Sequence, residues 1–268
     1  MLIGLIGGGN MGEAIIKGMI ESKNFSLTEI TVFDVSKNRL IYLNERYHID
    51  FSETVEELVE QSDVIILAVK PQIINSVLNN IKSLIDKNKH LIISIAAGVK
   101  IETFERTLGN DTRIVRVMPN TPAFVLESMS ALSFNKNVSE NDRKISMKIF
   151  QSIGEAIEID ESYLDAVTAV SGSGPGFIAE ILEAFSDGAV KIGIPRELAN
   201  KLIIQTFIGS IKLVSGEDIN FNKLKNMVTS PGGTTIAGIS ELANYNIKAA
   251  IINCIEAAFK RSKELAGN

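Results

Sequence analysis

Short apolar runs alternate with amphipathic stretches through the first part of the chain. The runs are β-branched and nearly continuous in apolarity, as is typical of strands buried on both faces. They predict strands at Leu2–Ile6, Ile30–Asp34, Val64–Val69, Leu91–Ile95 and Arg113–Val117. Helices are predicted between them, near residues 10–22, 36–46, 54–61, 72–85 and 101–108. This alternation indicates an α/β fold with a doubly wound, mostly parallel sheet.

The pattern changes after about residue 160. Weaker strand patterns near 129–134 and 156–159 flank a predicted helix at about 139–152 and extend the sheet. Beyond them the apolar residues recur every three or four positions, which predicts roughly five helices and no strand. We therefore predict a sheet domain over residues 1–160 and a helical domain over residues 161–268. The apolar stripes of the second part are broad, so we expect a second subunit to complete its core.

Composition narrows the function classes. The chain has 268 residues, of which 45% are hydrophobic and 22% charged, an ordinary globular composition. Its net charge is −5 and it has no long basic block, which argues against nucleic acid as a partner. The longest clean apolar run, Val64–Val69, is far short of the roughly 20 residues of a membrane span. Met1 leads directly into a glycine-rich motif rather than a signal peptide, so we expect a cytoplasmic protein.

Cysteine and histidine are scarce. Cys254 is the single cysteine, and His48 and His90 are the only histidines. This inventory excludes an intrachain disulfide, a cysteine-cluster metal site and a three-histidine zinc site, and we expect no bound metal. Cys254 lies in an apolar helical stretch and is predicted to be buried, whereas both histidines are predicted to be exposed and non-catalytic. An enzyme with this inventory is expected to depend on a cofactor.

The segment Gly7–Gly12 reads G-G-G-N-M-G and contains the spacing G-x-G-x-x-G. It follows a predicted strand and opens a predicted helix, which is the context of a dinucleotide site. Gly7 allows a tight turn, Gly9 allows close approach of a pyrophosphate, and Gly12 lets the helix pack on the strand. The alternative is a glycine-rich turn that binds no ligand.

The second strand ends at Asp34, about 20 residues after the last glycine. An acidic residue at this point favours the ribose 2′-hydroxyl of NAD, whereas the nearby Ser36, Lys37 and Arg39 are able to bind the 2′-phosphate of NADP. The two interpretations conflict. A third is that Asp34 caps the following helix.

Further motifs follow the third, fourth and fifth strands. Ala68–Gln72 reads A-V-K-P-Q, Ser94–Gly98 reads S-I-A-A-G, and Met118–Ala123 reads M-P-N-T-P-A. Ligands of open α/β sheets lie at the carboxyl ends of the strands, so these segments are candidate cofactor contacts. Lys70 could equally be an ordinary surface lysine.

Two glycine-rich motifs lie in the helical part. Ser171–Pro175, S-G-S-G-P, interrupts a helical stretch, which is costly unless close backbone approach is needed. Ser230–Thr235, S-P-G-G-T-T, precedes a predicted helix and would expose N–H groups able to bind a carboxylate.

Together these motifs resemble the pyrroline-5-carboxylate reductase family. The resemblance runs from Leu2 to about Leu265 and is carried by I-G-G-G-N-M-G, A-V-K-P-Q, M-P-N-T-P-A, D-A-V-T-A-V-S-G-S-G-P and V-T-S-P-G-G-T-T-I. It implies a Rossmann domain followed by an all-helical dimerisation domain. It also implies NAD(P)H-dependent reduction of 1-pyrroline-5-carboxylate to L-proline, the last step of proline biosynthesis.

The resemblance also implies particular site residues. Thr168 would lie near the ring nitrogen, where it could donate a hydrogen bond or relay a proton; the alternative is a threonine bonded to its own helix backbone. Substrate contacts are implied for Ser230, Gly233, Thr234 and Thr235, with Glu161 near the site. Contacts to NADP(H) or NAD(H) are expected from Ile6, Gly7, Gly8, Gly9, Asn10, Met11, Gly12, Asp34, Ser36, Lys37, Ala68, Val69, Lys70, Pro71, Ala96, Ala97 and Asn120.

The chain departs from the family pattern at three places. Gly176-Phe177 replaces the usual Ala-Tyr, which removes a hydroxyl. Asn246 stands where a helix-ending glycine is usual and is expected to adopt the left-handed conformation. Asp34 departs from the more typical NADP-accommodating pattern, so the cofactor preference stays open.

The motifs bear differently on three other functions. A reductase of another cyclic imine is compatible with the same motifs. A β-hydroxyacid dehydrogenase would need a catalytic lysine after the second glycine motif, and Ser171–Val190 contains none. A non-catalytic nucleotide-binding protein would not need the three motifs M-P-N-T-P-A, S-G-S-G-P and S-P-G-G-T-T together.

Overall fold

The computed structural model describes residues 1–216 and 219–267. Two compact units make up this part of the chain. The first runs from Met1 to Ser173 and includes the end of the chain from Ala258, and the second runs from Gly174 to Ala257.

The first unit is built on a sheet of eight strands in the order β3-β2-β1-β4-β5-β6-β7-β8. The six strands from β3 to β6 run parallel, and the pair β7 and β8 runs antiparallel to them. The predicted doubly wound, mostly parallel sheet is confirmed. The strands are β1 Ile3–Ile6, β2 Ile30–Phe33, β3 Asp50–Phe51, β4 Val64–Leu67, β5 Leu91–Ser94, β6 Arg113–Met118, β7 Ser128–Phe134 and β8 Gly154–Glu158.

Helices cover both faces of this sheet. One apolar cluster joins strand residues such as Leu5 and Ile66 to α1 and α6, and the other joins Ile65 and Leu67 to α3, α4 and α5. Adjacent residues of β4 thus point into different clusters, which explains why the strands are apolar at every position. The helices are α1 Asn10–Glu21, α2 Lys37–Tyr47, α3 Val55–Gln61, α4 Ile74–Ile81, α5 Ile101–Leu108, α6 Glu140–Gln151 and α7 Leu164–Val167.

Three details differ from the sequence prediction. The edge strand β3 was not predicted, because two residues give no recognisable alternation. His90 was predicted to be exposed and is buried at 2% exposure, so that prediction was wrong. Its Nδ1 accepts a hydrogen bond from the backbone N–H of Asp86 (3.0 Å), and burial lowers its pKa. His48 is exposed, as predicted, and Cys254 is half-buried rather than fully buried.

The sheet unit extends beyond residue 160 because the following segment is tied to it by charged side chains. Arg116, buried within β6, lies 3.0 Å from the Glu161 carboxylate and 3.6 Å from that of Asp165. Ser262, near the end of the chain, contacts Asp165 at 3.4 Å. After α7, a π-helix spans Thr168–Gly172. The compact units therefore divide at Ser173.

The second unit is helical throughout its described residues. Gly193 ends one helix with φ 99°, and Asn246 adopts the predicted left-handed conformation with φ 52°. Only Ser186 and Ala199 are buried among its described residues, so this unit has almost no core within one chain. Its helices are α8 Gly174–Lys191, α9 Arg196–Gly216, α10 Phe221–Met227, α11 Thr234–Asn244 and α12 Ile247–Leu265, the last of which ends in the first unit.

None of the helices in the described ranges is long and apolar enough to span a membrane.

Candidate active site

The turn between β1 and α1 depends on glycine at two positions. Gly7 has φ 108°, and a Cβ there would lie 2.5 Å from the carbonyl oxygen of Ala68. A Cβ on Gly12 would lie 2.3 Å from the carbonyl oxygen of Gly7. Both distances are shorter than any real contact, so packing of the turn itself excludes side chains there.

Gly9 is different, because no atom lies within 4 Å of where its Cβ would be. Gly9 is also the N-cap of α1 and has no side-chain cap. The open space and the uncapped helix N-terminus fit a pyrophosphate, which would bind to the N–H groups of Asn10, Met11 and Gly12. The glycine turn thus has the shape that a dinucleotide requires.

Asp34 lies at the end of β2, beside this turn. One carboxylate oxygen accepts the backbone N–H of Gly8 at 2.8 Å, and the other accepts the N–H of Ser36 at 2.9 Å. The N-cap of α2 is Ser36, so the interpretation of Asp34 as the cap is wrong. The aspartate instead joins the second strand to the glycine turn.

Arg39 is held by the protein itself. Its guanidinium pairs with Glu13 and donates to the carbonyl of Gly8, and it lies 4.8 Å from the ring centre of Tyr42. Glu13 also accepts the hydroxyl of Tyr47 at 2.8 Å. Sequence reasoning did not single out Glu13 or the two tyrosines. The signal available was an acidic residue in the first turn of α1, four positions after Gly9.

These contacts shift two pKa values. Burial raises the pKa of Glu13, but hydrogen bonds from Arg39 and Tyr47 and the charge of Arg39 outweigh it, leaving the pKa below its ordinary value. Burial, then the hydrogen bond to Glu13, raises the pKa of Tyr47 to about 12. Glu13 is therefore ionised and Tyr47 neutral near neutral pH.

A cavity of about 410 Å³ lies in the first unit, at the carboxyl ends of β4 and β5. Thr168, the first residue of the π-helix, also lines this cavity. The predicted segments A-V-K-P-Q and S-I-A-A-G both reach it, through Pro71 and Ala97. Lys70 is exposed, as its surface interpretation requires. Other lining residues are Gln72, Ile74, Asn75, Gly98, Val99, Thr103, Arg106, Ser262 and Leu265, of which only Gln72 and Gly98 lie within the motifs singled out from the sequence.

The Thr168 hydroxyl donates to the backbone carbonyl of Leu164 at 2.8 Å. This is the contact of the alternative interpretation, a threonine bonded to its own helix. A hydroxyl has one donor and two acceptor positions, so Thr168 retains the capacity to accept a hydrogen bond. The predicted contact of Thr168 with a ring nitrogen stays a prediction; with the hydroxyl proton donated to Leu164, it would be made through the oxygen as acceptor.

Asn120 anchors the M-P-N-T-P-A loop to the π-helix. Its amide nitrogen donates to the hydroxyl and the carbonyl of Ser171 at 3.1 and 3.2 Å. Its amide oxygen accepts the N–H of Met129 at 3.0 Å and the hydroxyl of Ser128 at 3.1 Å. The side chain expected at the cofactor is thus engaged within the protein.

Glu161 does not line the Thr168 cavity. Its carboxylate accepts the backbone N–H of Ile101 at 2.8 Å and pairs with Arg116, and it faces a separate cavity with Glu105 and Lys136. Arg116 was missed by sequence reasoning. An arginine between the apolar residues Val115 and Val117 of β6, with two carboxylates four residues apart downstream, was the available signal.

The S-P-G-G-T-T motif lies in the second unit. Gly232 has φ 70°, and Gly233 is the N-cap of α11 without a side-chain cap. The N–H of Gly233 donates to the Ser230 carbonyl at 3.1 Å. Thr234 and Thr235 occupy the first turn, so the predicted uncapped helix start is confirmed.

Among residues 1–216 and 219–267, no group of three or more histidine, cysteine or acidic side chains is placed to hold a metal ion.

The sheet is mostly parallel, and the turn after β1 leads into a helix whose uncapped N-terminus lies beside open space at Gly9. Together these features define a dinucleotide-binding protein. The model for NADP oxidoreductase coenzyme F420-dependent proteins matches residues 2–98, and that for pyrroline-5-carboxylate reductase dimerisation matches residues 161–265. The chain belongs to the pyrroline-5-carboxylate reductase family, because a relative of that name is 44% identical to it over 98% of its length. Its second part is accordingly a dimerisation region, which agrees with the nearly coreless second unit.

Individual relatives agree over the whole length. The chain is 44% identical to pyrroline-5-carboxylate reductase of Methanosarcina acetivorans, covering 98% of this chain and 97% of the relative. It is 40% identical to that of Arabidopsis thaliana, covering 98% and 95%. The Plasmodium falciparum pyrroline carboxylate reductase, solved with NADP bound, has a TM-score of 0.89 at 36% identity, covering 99% and 98%. The Coxiella burnetii enzyme has a TM-score of 0.93 at 34% identity, covering 98% and 97%.

Proposed function

We propose that this protein reduces the C=N bond of 1-pyrroline-5-carboxylate to give L-proline, with NADPH or NADH as the reductant. The observation that carries the proposal is the cavity that Thr168 shares with the carboxyl ends of β4 and β5. A dinucleotide that starts at the glycine turn would extend along these strand ends. The full-length similarity to pyrroline-5-carboxylate reductases supports the choice of substrate.

The cofactor would be held mainly by backbone and small side chains. Gly9 and the first N–H groups of α1 would bind the pyrophosphate, and Asp34 would lie at the adenosine end. When bound, the reduced nicotinamide supplies a hydride. The remaining contacts proposed are Ile6, Gly7, Gly8, Ser36, Lys37, Ala68, Val69, Lys70, Pro71, Ala96 and Ala97, with Asn120 supporting the loop beside them.

Thr168 would orient the ring through its nitrogen. Its hydroxyl proton is already donated to Leu164, so its oxygen is an acceptor for the N–H of the protonated imine. Protonation makes the imine carbon a better hydride acceptor. As the new C–H bond forms, the electron pair of the C=N bond moves to nitrogen, and a neutral secondary amine results. No protein nucleophile is required, in keeping with the scarcity of cysteine and histidine.

The substrate carboxylate would bind at the start of α11. Gly233 and the N–H groups of Thr234 and Thr235 present a helix N-terminus without a side-chain cap, which favours an anion. The Ser230 hydroxyl would add a hydrogen bond. Residues 161–268 would then serve as a helical dimerisation and substrate-binding domain that follows, in the sequence, a dinucleotide-binding domain over residues 1–160. A biosynthetic reductase of this kind uses a reduced nicotinamide dinucleotide. We propose that the protein is located in the cytoplasm.

The proposal is tested by incubating the purified protein with 1-pyrroline-5-carboxylate and either NADPH or NADH. We expect nicotinamide oxidation and equimolar proline, measured by absorbance and by mass spectrometry. In Thr235→Ala, the KM for the imine should rise more than the KM for the cofactor, because the variant loses the Thr235 hydroxyl, which we propose adds a hydrogen bond to the substrate carboxylate and does not touch the cofactor. An absence of proline with both cofactors would refute the proposed reaction.

A further inference from the structure

The acidic side chain at the end of β2 is fixed in place, beside the glycine turn. Asp34 uses both carboxylate oxygens to accept backbone N–H groups, from Gly8 and from Ser36. Gly8 belongs to the turn itself, so the carboxylate lies at the adenosine side of the expected pyrophosphate site. A carboxylate there accepts a ribose hydroxyl and repels a phosphate ester.

The Arg39 guanidinium, beside the glycine turn, is engaged by the protein's own groups. Arg39 could in principle neutralise a 2′-phosphate, but its guanidinium is paired with Glu13, bonded to the Gly8 carbonyl and stacked on Tyr42. The side chains of Arg39 and Glu13 are 24% and 14% exposed, so solvent screens their attraction only in part. Glu13 accepts hydrogen bonds from the hydroxyls of Tyr42 and Tyr47 as well, which fixes its position.

Arg46 and Lys37 also lie beside acidic side chains. Arg46 lies 3.8 Å from Glu13 and against the rings of Tyr42 and Tyr47. Lys37 points toward solvent, with 82% of its side chain exposed, and lies 3.5 Å from Glu53. Arg39, Arg46 and Lys37 therefore each lie beside an acidic side chain.

We propose that Asp34 and the Glu13–Arg39 pair make this site selective for a dinucleotide without a 2′-phosphate, so that NADH is preferred over NADPH. Asp34 accepts the 2′-hydroxyl. Glu13 acts as a positioning residue that keeps the Arg39 guanidinium from turning toward a phosphate. The inference deepens the proposed function, since it concerns the same cofactor site.

The first test uses the wild-type protein without imine substrate. Binding of NADH and NADPH is followed by nicotinamide fluorescence, and competition by 5′-AMP and 2′,5′-ADP isolates the adenosine end. We expect NADH to bind at least about tenfold more tightly than NADPH, and 5′-AMP to compete better than 2′,5′-ADP, because the Asp34 carboxylate would repel a 2′-phosphate. Equal binding, or tighter binding of the phosphorylated member of either pair, overturns the inference.

Two variants distinguish the contribution of Asp34 from that of the Glu13–Arg39 pair. Asp34→Ser should lower the ratio of NADPH to NADH dissociation constants by about tenfold or more, because it removes the repelling charge. Glu13→Gln should lower the NADPH dissociation constant by about threefold and leave that of NADH unchanged, because it releases Arg39. The matched controls are Asp50→Ser, on the edge strand, and Glu21→Gln, at the far end of α1, and both should retain the wild-type ratio.

Melting temperatures are recorded for each variant, and one that fails to fold leaves the wild-type comparison decisive. A ratio unchanged in folded Asp34→Ser overturns the role of Asp34. A folded Glu13→Gln in which NADH and NADPH binding weaken equally overturns the role of Glu13. These readouts need no turnover, so they stand apart from any failure to reduce 1-pyrroline-5-carboxylate.

Discussion

At the scale of single residues, hydrogen-bond direction decides what a side chain contributes. The Thr168 hydroxyl donates its hydrogen bond to the Leu164 carbonyl and keeps its acceptor positions. It therefore suits a substrate nitrogen that carries a proton. The aspartate at the end of β2 likewise acts through what it accepts.

Replacing Thr168 by alanine should lower kcat/KM for the imine by about 10- to 100-fold, since a hydrogen bond to a charged group contributes about 1.5–3 kcal/mol. Thr168→Ser keeps the oxygen and should retain most of the activity. Steady-state kinetics with both variants checks this, with cofactor binding measured in parallel. A serine variant as impaired as the alanine variant would show that the methyl group, rather than the oxygen, is what matters.

His90 supports a prediction on pH. Burial lowers its pKa below the ordinary value of 6.5, so below that pH the unfolded chain binds a proton that the native chain resists. Its contribution to the free energy of unfolding is thus retained above pH 6.5 and declines as the pH falls toward the lowered pKa. His90→Asn, which keeps an acceptor for the Asp86 N–H, should reduce the loss of stability between about pH 7 and about pH 5.5. Urea denaturation at several pH values measures it, and an unaltered slope would contradict it.

At the scale of elements, the β1–α1 turn separates glycines needed for folding from a glycine available for binding. A Cβ on Gly12 would meet the Gly7 carbonyl at 2.3 Å, whereas one on Gly9 would meet nothing within 4 Å. The two positions are three residues apart in one motif, yet only Gly12 is constrained by the protein's own atoms.

Gly12→Ala should lower the free energy of unfolding by about 1–3 kcal/mol, because the backbone must move to admit a methyl group. Gly9→Ala should change it by no more than about 0.5 kcal/mol, while weakening dinucleotide binding strongly. Denaturation curves and fluorescence titrations of both variants provide the comparison. Normal cofactor binding in Gly9→Ala would show that the open space beside Gly9 is not where the pyrophosphate lies.

The sequence was sufficient for elements whose causes are local. The strands buried on both faces, the glycine turn and the helix start at Gly233 depend on neighbouring residues, and each was predicted. The partners of Asn120 and Arg116 lie about 50 residues away, so no local pattern indicated that Asn120 would bond to Ser171. His90 was misjudged for the same reason: the residues before it, Asn88 and Lys89, are polar, but its burial comes from tertiary packing.

At the scale of the whole molecule, the two compact units differ in self-sufficiency. The sheet unit has two apolar clusters, whereas the described residues of the helical unit bury only Ser186 and Ala199. Large apolar side chains on α9 stay exposed, including Ile204, Ile208 and Ile211 at 52%, 42% and 57%. Leaving such a stripe in water is unfavourable, and the dimerisation match over residues 161–265 accounts for it.

Ile208→Glu should convert the dimer to monomer or to an unstable chain, because it places a charge on this stripe. Ile41→Glu is the matched control, since Ile41 is exposed at 48% on α2 of the sheet unit. Light scattering after size exclusion reports the mass of each variant. An Ile208→Glu protein that remains dimeric would mean that the subunits associate through another surface.

The most direct test of the central claim is transfer of a labelled hydride. The protein is supplied with 1-pyrroline-5-carboxylate and reduced nicotinamide dinucleotide deuterated at C4, and the proline formed is examined by mass spectrometry and NMR. The account predicts one deuterium per proline when the transferred C4 position is labelled, located on the ring carbon next to nitrogen that was the imine carbon. Proline without deuterium from either C4-labelled form, or with deuterium on another carbon, would contradict it.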